Sequence, residues 1–281
     1  MHPLEITIVG PGRAGMSLGL AATGSGHRIV AVVGRDREAA VAGAASVGAR
    51  AAGIGEPLGR GDLLVLAVRD AAIAEVATSL APAAGYHAAV HLSGFTPVAA
   101  LAPLADGGRH TGSFHPLQTL SRAEDGAARL AGAHVAVTAK EPLRQLLWNL
   151  ALSLGAAPFD LADEAKPLYH AGASAAANFP LAALAMAADL LEAAKVPFAA
   201  ARPLVEAVVG NAFELGPRAA LTGPVARGDV ATVTGQAGAV HDAAPEWLEG
   251  FVAFVRELAR ISGGAGDFEA LVGGWRPEDG G

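Results

Sequence analysis

Six residues near the start of the chain, Gly10-Pro11-Gly12-Arg13-Ala14-Gly15, stand between an apolar run, Leu4-Glu5-Ile6-Thr7-Ile8-Val9, and a short helical stretch from Met16 to Thr23 that ends at Gly24-Ser25-Gly26. A second apolar run, His27 to Val33, follows. Strand, tight glycine turn, helix and strand in that order form the opening unit of an open parallel sheet covered by helices. Each glycine has its own task. The first permits the tight turn, the second lets backbone approach a pyrophosphate, and the third lets helix and strand pack closely. The helix start then offers free N–H groups to phosphate, so Gly10, Gly12, Arg13, Ala14 and Gly15 are candidate nucleotide-binding residues. With 36 glycines in the chain, the six-residue pattern alone is weak. Its flanking elements make it a site.

Further strands are expected at Asp62 to Val68, Ala88 to Leu92 and Val135 to Thr138, with an edge strand at Ala157 to Leu161 and a helix from Pro142 to Gly155. Strands alternating with helices imply a parallel sheet. From Glu164 the strand signals cease and apolar residues recur with helical spacing through Lys195, then over Ala199 to Leu215 and Ala244 to Ser262. The composition agrees: 52% hydrophobic but only 5% aromatic, so the apolar content is mostly Ala, Val and Leu, suited to helices and doubly covered strands. The expected fold is α/β, with an N-terminal Rossmann-type doubly wound parallel sheet over residues 1–162 and an all-helical C-terminal domain over 163–281. The end from Gly273 reads as loose.

A net charge of −7 opposes accumulation on nucleic acid or an anionic membrane. The absence of cysteine excludes disulfides, thiolate metal sites and thiol catalysis, and no metal site is expected. No charged-then-apolar leader opens the chain, and the apolar stretch near Leu181 is interrupted by Pro180 and Asp189, so the expectation is a soluble cytoplasmic protein.

The end of the second strand selects between nicotinamide dinucleotides. NAD-binding chains place Asp or Glu there, where it accepts hydrogen bonds from the ribose hydroxyls. Here the segment reads Val32-Val33-Gly34-Arg35-Asp36-Arg37, so Gly34 and Arg35 stand at the acid's place and would meet a 2′-phosphate with open space and a guanidinium. NADP(H) is therefore favoured. Asp36 is the counter-argument, since a two-residue shift would set it on the ribose.

Ligands of open parallel sheets gather at the C-terminal strand ends. That singles out Val68-Arg69-Asp70, His91-Leu92-Ser93-Gly94 and Ser113-Phe114-His115-Pro116-Leu117-Gln118. Val68 and Ser93 are assigned to the cofactor, Ser93-Gly94 offering backbone to the nicotinamide ribose, and His115 to the substrate. In the helical half, Lys166, His170, Ser174 and Asn178 recur every fourth residue, a polar stripe along an Ala-rich helix. Reducing a carbonyl or imine needs a proton donor, which Lys166 or His170 can be, while Asn178 and His115 orient the substrate. A solvent-facing stripe is the alternative.

These segments resemble the Rossmann-like proteins with a DUF2520 C-terminal domain, within the broader 6-phosphogluconate dehydrogenase and pyrroline-5-carboxylate reductase-like group. The resemblance rests on the glycine loop, on His91-Leu92-Ser93-Gly94, on Ser113 to Thr119, on Tyr169-His170-Ala171 leading to Asn178-Phe179-Pro180, and on Leu221-Thr222-Gly223-Pro224-Val225-Ala226-Arg227-Gly228-Asp229. It implies an NADP-binding domain, a helical domain that also makes a homodimer interface, and oxidoreductase activity, with Lys166 and Asn178 nearest to a Lys and an Asn that face the nicotinamide in related dehydrogenases. Two positions depart from the pattern: Ala177 where Ser often precedes the Asn, and Arg69 where Pro often follows the strand. The last motif reads as an inter-helix turn held by an Arg-Asp pair, or as a flap over the cleft.

The combined expectation is an NADP(H)-dependent oxidoreductase acting on a small carbonyl or imine compound, such as the 2-oxo acid ketopantoate, in a cleft between the domains. Two alternatives stand beside it: a non-catalytic dimeric NADP(H)-binding regulator, and hydride exchange between NADP and a deazaflavin.

Overall fold

The computed structural model describes residues 2–82, 85–264 and 268. The C-terminal stretch from Gly273 lies outside the described residues. In chain order the first half runs β1 (Glu5–Val9), α1 (Arg13–Gly24), β2 (Arg28–Gly34), α2 (Arg37–Ser46), β3 (Arg50–Gly53), β4 (Gly61–Leu66), α3 (Ile73–Leu80), β5 (Tyr86–His91), α4 (Ala102–Asp106), β6 (His110–Leu117), α5 (Ala123–Leu130), β7 (His134–Ala139), α6 (Leu143–Ser153) and β8 (Ala157–Asp160). The helices α7 (Lys166–Ala177), α8 (Phe179–Ala193), α9 (Arg202–Leu215), α10 (Val230–Ala243) and α11 (Leu248–Ser262) follow.

The eight strands form one sheet in the order β3-β2-β1-β4-β5-β6-β7-β8. Strand order reverses between β1 and β4, and a crevice opens at the carboxyl ends of strands at such a switch point. Alternate residues of the central strands feed two cores. Ile6, Ile8, Leu63, Val65, Val90 and Phe114 pack with α1, α5 and α6 on one face. Val9, Val33, Leu64, Leu66 and Ala89 pack with α3 and α4 on the other. Each fully buried Leu, Ile or Phe contributes about 1.5–3 kcal/mol, so the central strands hold the sheet together.

Three expectations change. The segment from Ser113, read as following a strand, lies inside β6, and β7 runs antiparallel to it, so the sheet is not wholly parallel. Strand β3 was not anticipated. Its four residues, Arg-Ala-Ala-Gly, are too short to show a period. The polar stripe does not run along one regular helix: α7 ends at Ala177, Asn178 occupies the cap of α8, and Pro180 sits in the first turn of α8.

The chain divides into two compact units, Met1–Ala177 and Asn178–Gly281. The sequence sets its division after residue 162, where the sheet ends, and α7 groups with the sheet unit. Within the second unit, Val225, Val233, Ala237, Val255 and Ala259 form a core between α10 and α11, and Trp247 Nε1–H donates to Asp189 at 2.7 Å. The Leu221 to Asp229 motif is a turn held differently from its expected Arg-Asp pair: Asp229 caps α10, accepting from Thr232 N–H at 3.1 Å and from its hydroxyl at 2.7 Å.

Candidate active site

At the switch point a cavity of about 470 Å³ is lined by Gly10, Pro11, Gly12, Gly34, Arg35, Asp36, Val68 and Arg69, among others. The glycine loop fits a dinucleotide by its own geometry. Gly10 has φ +106°, and a Cβ there would collide with the Ala67 carbonyl. A Cβ on Gly15 would lie 2.9 Å from both Ala67 Cβ and Ile8 Cγ2, so helix α1 can approach the strands only without one. A Cβ on Gly12 would meet nothing within 4 Å. Its lack of a side chain therefore serves open space, as a backbone cradle for phosphate requires. Helix α1 carries no side-chain cap, which leaves the amides of its first turn, Arg13, Ala14 and Gly15, for an anion.

Helix α2 bears on the ambiguity at the end of β2. Asp36 is its N-cap: Oδ1 accepts from the amides of Glu38 at 2.9 Å and Ala39 at 3.1 Å. That carboxylate serves the helix. Arg35 and Arg69 line the same cavity, and among the described residues their guanidinium groups make no hydrogen bond or ion pair, whereas Arg37 is paired with Glu56 at 3.1 Å. Gly34 has a packing task in place of the open space expected of it, because a Cβ there would lie 3.0 Å from Pro11 Cγ.

A second, polar group lies at the carboxyl ends of β5 and β6. In β6, Phe114 enters the core, so its neighbours Ser113 and His115 face the other way. Helix α7 meets them with residues three and four apart, Lys166, Tyr169 and His170. Lys166 is wholly buried, its Nζ donates to Ser113 Oγ at 2.8 Å and stands 3.7 Å from Asp163 Oδ1. Burial holds Lys166 down at about 8, against the opposing pull of Asp163. His115 Nδ1 is 2.8 Å from the Tyr169 hydroxyl, and the His170 ring lies 6.1 Å from both His115 and Phe95. Burial, with His170 and Lys166 adding to it, lowers His115 to about 4. Both loops are tied down: Asp163 accepts from Val98 N–H with both oxygens, at 3.0 and 3.1 Å. Ser93 is internally engaged. Its hydroxyl donates to Asp70 at 2.8 Å and accepts from the amides of Phe95 and Thr96, while its N–H donates to His91 Nδ1 at 3.2 Å. The structure thus unites His115, Lys166 and His170. Asn178 opens the second unit and is exposed there.

Residues 2–116 match the Rossmann-like domain family and residues 133–257 match the domain of unknown function DUF2520. The chain belongs to the Rossmann-like, DUF2520 domain-containing proteins. No curated protein matches it. Among solved structures, this DUF2520 protein is similar to a Bacteroides fragilis protein assigned by inference as an NADP oxidoreductase, at 24% identity over 92% of this chain and 98% of that one, with a TM-score of 0.77. A Thermotoga maritima protein is 22% identical over 92% of this chain and 99% of its own, with a TM-score of 0.75. The reductive aminase of Aspergillus terreus, in complex with NADPH and ethyl-5-oxohexanoate, is 16% identical over 95% and 100%, with a TM-score of 0.65. At these identities the likeness establishes the fold.

Three residues of the DUF2520 protein's site escape a reading by four-residue steps. Tyr169 stands three residues from Lys166, a spacing that also shares a helix face. Asp70 was visible only as part of a strand-end segment. Asp163 precedes the stripe and carries no signal of its own.

Proposed function

We propose that this protein is an NADP(H)-dependent oxidoreductase that reduces a small carbonyl or imine compound at the carboxyl edge of its sheet. The observation that carries the reading is the commitment of Asp36 to capping α2, beside two guanidinium groups, Arg35 and Arg69, that line the same cavity and have no partner among the described residues. A 2′-phosphate suits such a wall and a bare ribose diol does not. Bound there, the dinucleotide would supply the hydride. The first-turn amides of α1 would hold its pyrophosphate, and Arg35 its 2′-phosphate. The names of several structural neighbours, among them an imine reductase from Myxococcus stipitatus in complex with NADP+ and a pyrroline-5-carboxylate reductase from Coxiella burnetii, favour the same chemistry.

Of the two candidate proton donors, His170 is half-buried and Lys166 is enclosed. We assign proton donation to His170 and give Lys166 an electrostatic role beside it. The test has two parts. Binding titrations should show tighter binding of NADPH than of NADH, with Arg35→Ala losing about tenfold for NADPH, or 1.4 kcal/mol, and little for NADH. A panel of oxo acids and cyclic imines should yield at least one substrate that wild type reduces and His170→Ala does not. Equal affinity for both dinucleotides, or turnover unaffected by the His170 change, would overturn the reading.

The enclosure of Lys166 also favours the other class of function, a regulator that binds NADP(H) without turnover. Tight NADPH binding with no oxidation across the panel would support it. We further propose that a second copy of the chain covers the apolar faces of α8 and α9, where Leu181, Leu204 and Phe213 are 62, 67 and 89% exposed. By length and composition alone, an 18-residue window of mean hydropathy 1.4 within residues 163–193 is apolar enough to cross a bilayer. A protein partner fits better, because Lys166, at the start of the same 163–193 stretch, is anchored on Ser113.

A further inference from the structure

We propose that Tyr169 is a positioning residue that fixes His115 as the neutral tautomer carrying its proton on Nε2, so that the imidazole presents a hydrogen-bond donor to the substrate and does not act as the acid. The use of that donor rests on the reductase reading above; the tautomer itself does not. Among the described residues the Tyr169 hydroxyl makes one hydrogen bond, to His115 Nδ1 at 2.8 Å. If Nδ1 carried the proton and donated to the phenol oxygen, the phenol's own proton would find no protein acceptor among the described residues. With Tyr169 donating, both groups are satisfied and the imidazole proton must sit on Nε2. Burial supports the assignment from both sides, raising Tyr169 to about 12 and lowering His115 to about 4, so the phenol keeps its proton and the ring stays neutral.

The ring is also fixed in place. The planes of His115 and Tyr169 are 89° apart with centroids 5.5 Å apart, and Phe159 packs edge-on with Tyr169 at 6.0 Å. A Cβ on Gly94 would come within 2.8 Å of His115 Cε1 and 2.9 Å of both ring nitrogens. The imidazole therefore occupies the space that a side chain at Gly94 would take. Nε2 makes no hydrogen bond among the described residues, and His115 is only partly buried, whereas His91 is wholly buried. The remaining charged or titratable groups acting on His115 are His170, Lys166 and Asp70. None of them hydrogen-bonds to Nε2. A fixed, neutral N–H of this kind polarises a C=O or C=N bond without supplying a full charge, and leaves protonation to another group.

Long-range 15N correlation spectra of the histidine side chains in the full-length protein test the tautomer directly, with the His115 signals assigned by their loss in His115→Asn. The expected result is a single neutral Nε2–H species at neutral pH in wild type, and a mixture of both neutral tautomers in Tyr169→Phe, which retains the ring contacts. A proton on Nδ1 in wild type, or an unchanged spectrum in Tyr169→Phe, would overturn the proposal. On whichever substrate the panel yields, Tyr169→Phe should lower kcat about tenfold with little change in KM. His115→Gln, which keeps an N–H near the Nε2 position, should retain most of the kcat that His115→Ala loses. A Gln variant as slow as the Ala variant would remove the donor role. If the panel yields no substrate, the reductase reading fails and the spectra alone decide the tautomer.

Discussion

Lys166 donates to Ser113 at 2.8 Å with neither side chain open to solvent. A buried ammonium with one close acceptor depends heavily on that acceptor. Ser113→Ala should therefore destabilise the fold by about 1–3 kcal/mol in urea unfolding, while Lys166→Met should cost less than about 1 kcal/mol or stabilise it. Lys166 releases its proton at about 8 in the fold, against 10.5 for a free lysine. The unfolded chain binds more protons between those values, so stability should rise with pH across that window. Lys166→Met should abolish the rise.

The two ends of the glycine loop should respond to one methyl group in opposite ways. Gly12→Ala should fold with a change within about 1 kcal/mol, yet lose NADPH affinity at least tenfold, because its Cβ enters the open cradle. Gly15→Ala should cost about 1–3 kcal/mol or more in unfolding free energy, since α1 must back away from Ala67 and Ile8. Denaturant titration and cofactor titration on the same samples separate the two effects.

Acid should unfold the sheet unit through its histidines. Burial lowers His27, and holds His91 and His115 at about 4, against an ordinary value of 6.5. Each binds its proton less readily folded than unfolded, so its share of stability is complete above 6.5 and is lost as pH falls below that, toward 4 for His91 and His115. The urea midpoint should drop across that interval. His91→Asn, which keeps an acceptor for the Ser93 amide, should make the drop shallower.

The apolar face of α9 should govern assembly. Phe213→Asp is expected to convert a dimer into a monomer in light scattering, while circular dichroism and the Trp247 environment stay unchanged. A wild-type monomer at micromolar concentration would remove the proposal.

Much of the fold could be read from the residues because the informative elements are the most buried. Strands β1, β2, β4 and β5 are mostly apolar, with few polar residues among them, and the glycine loop lies where strand and helix force it. Strand β6 escaped because His-Thr-Gly-Ser-Phe-His-Pro-Leu conceals its alternation behind small and polar residues, and only Phe114 marks the core side. The nucleotide wall was half legible: Arg35 was evident, but the engagement of Asp36 depends on where α2 starts, a matter of one or two residues. The polar group was harder. Lys166 meets Ser113 across 53 residues and Tyr169 meets His115 across 54, and no local period reports such a meeting.

The seat of His115 on Gly94 has a consequence for descent. A side chain at position 94 would evict the imidazole, and with it the reason for a phenol at position 169. Across homologous chains the three positions should therefore change as a set: where 94 is no longer glycine, histidine should be missing at 115, and tyrosine should give way at 169.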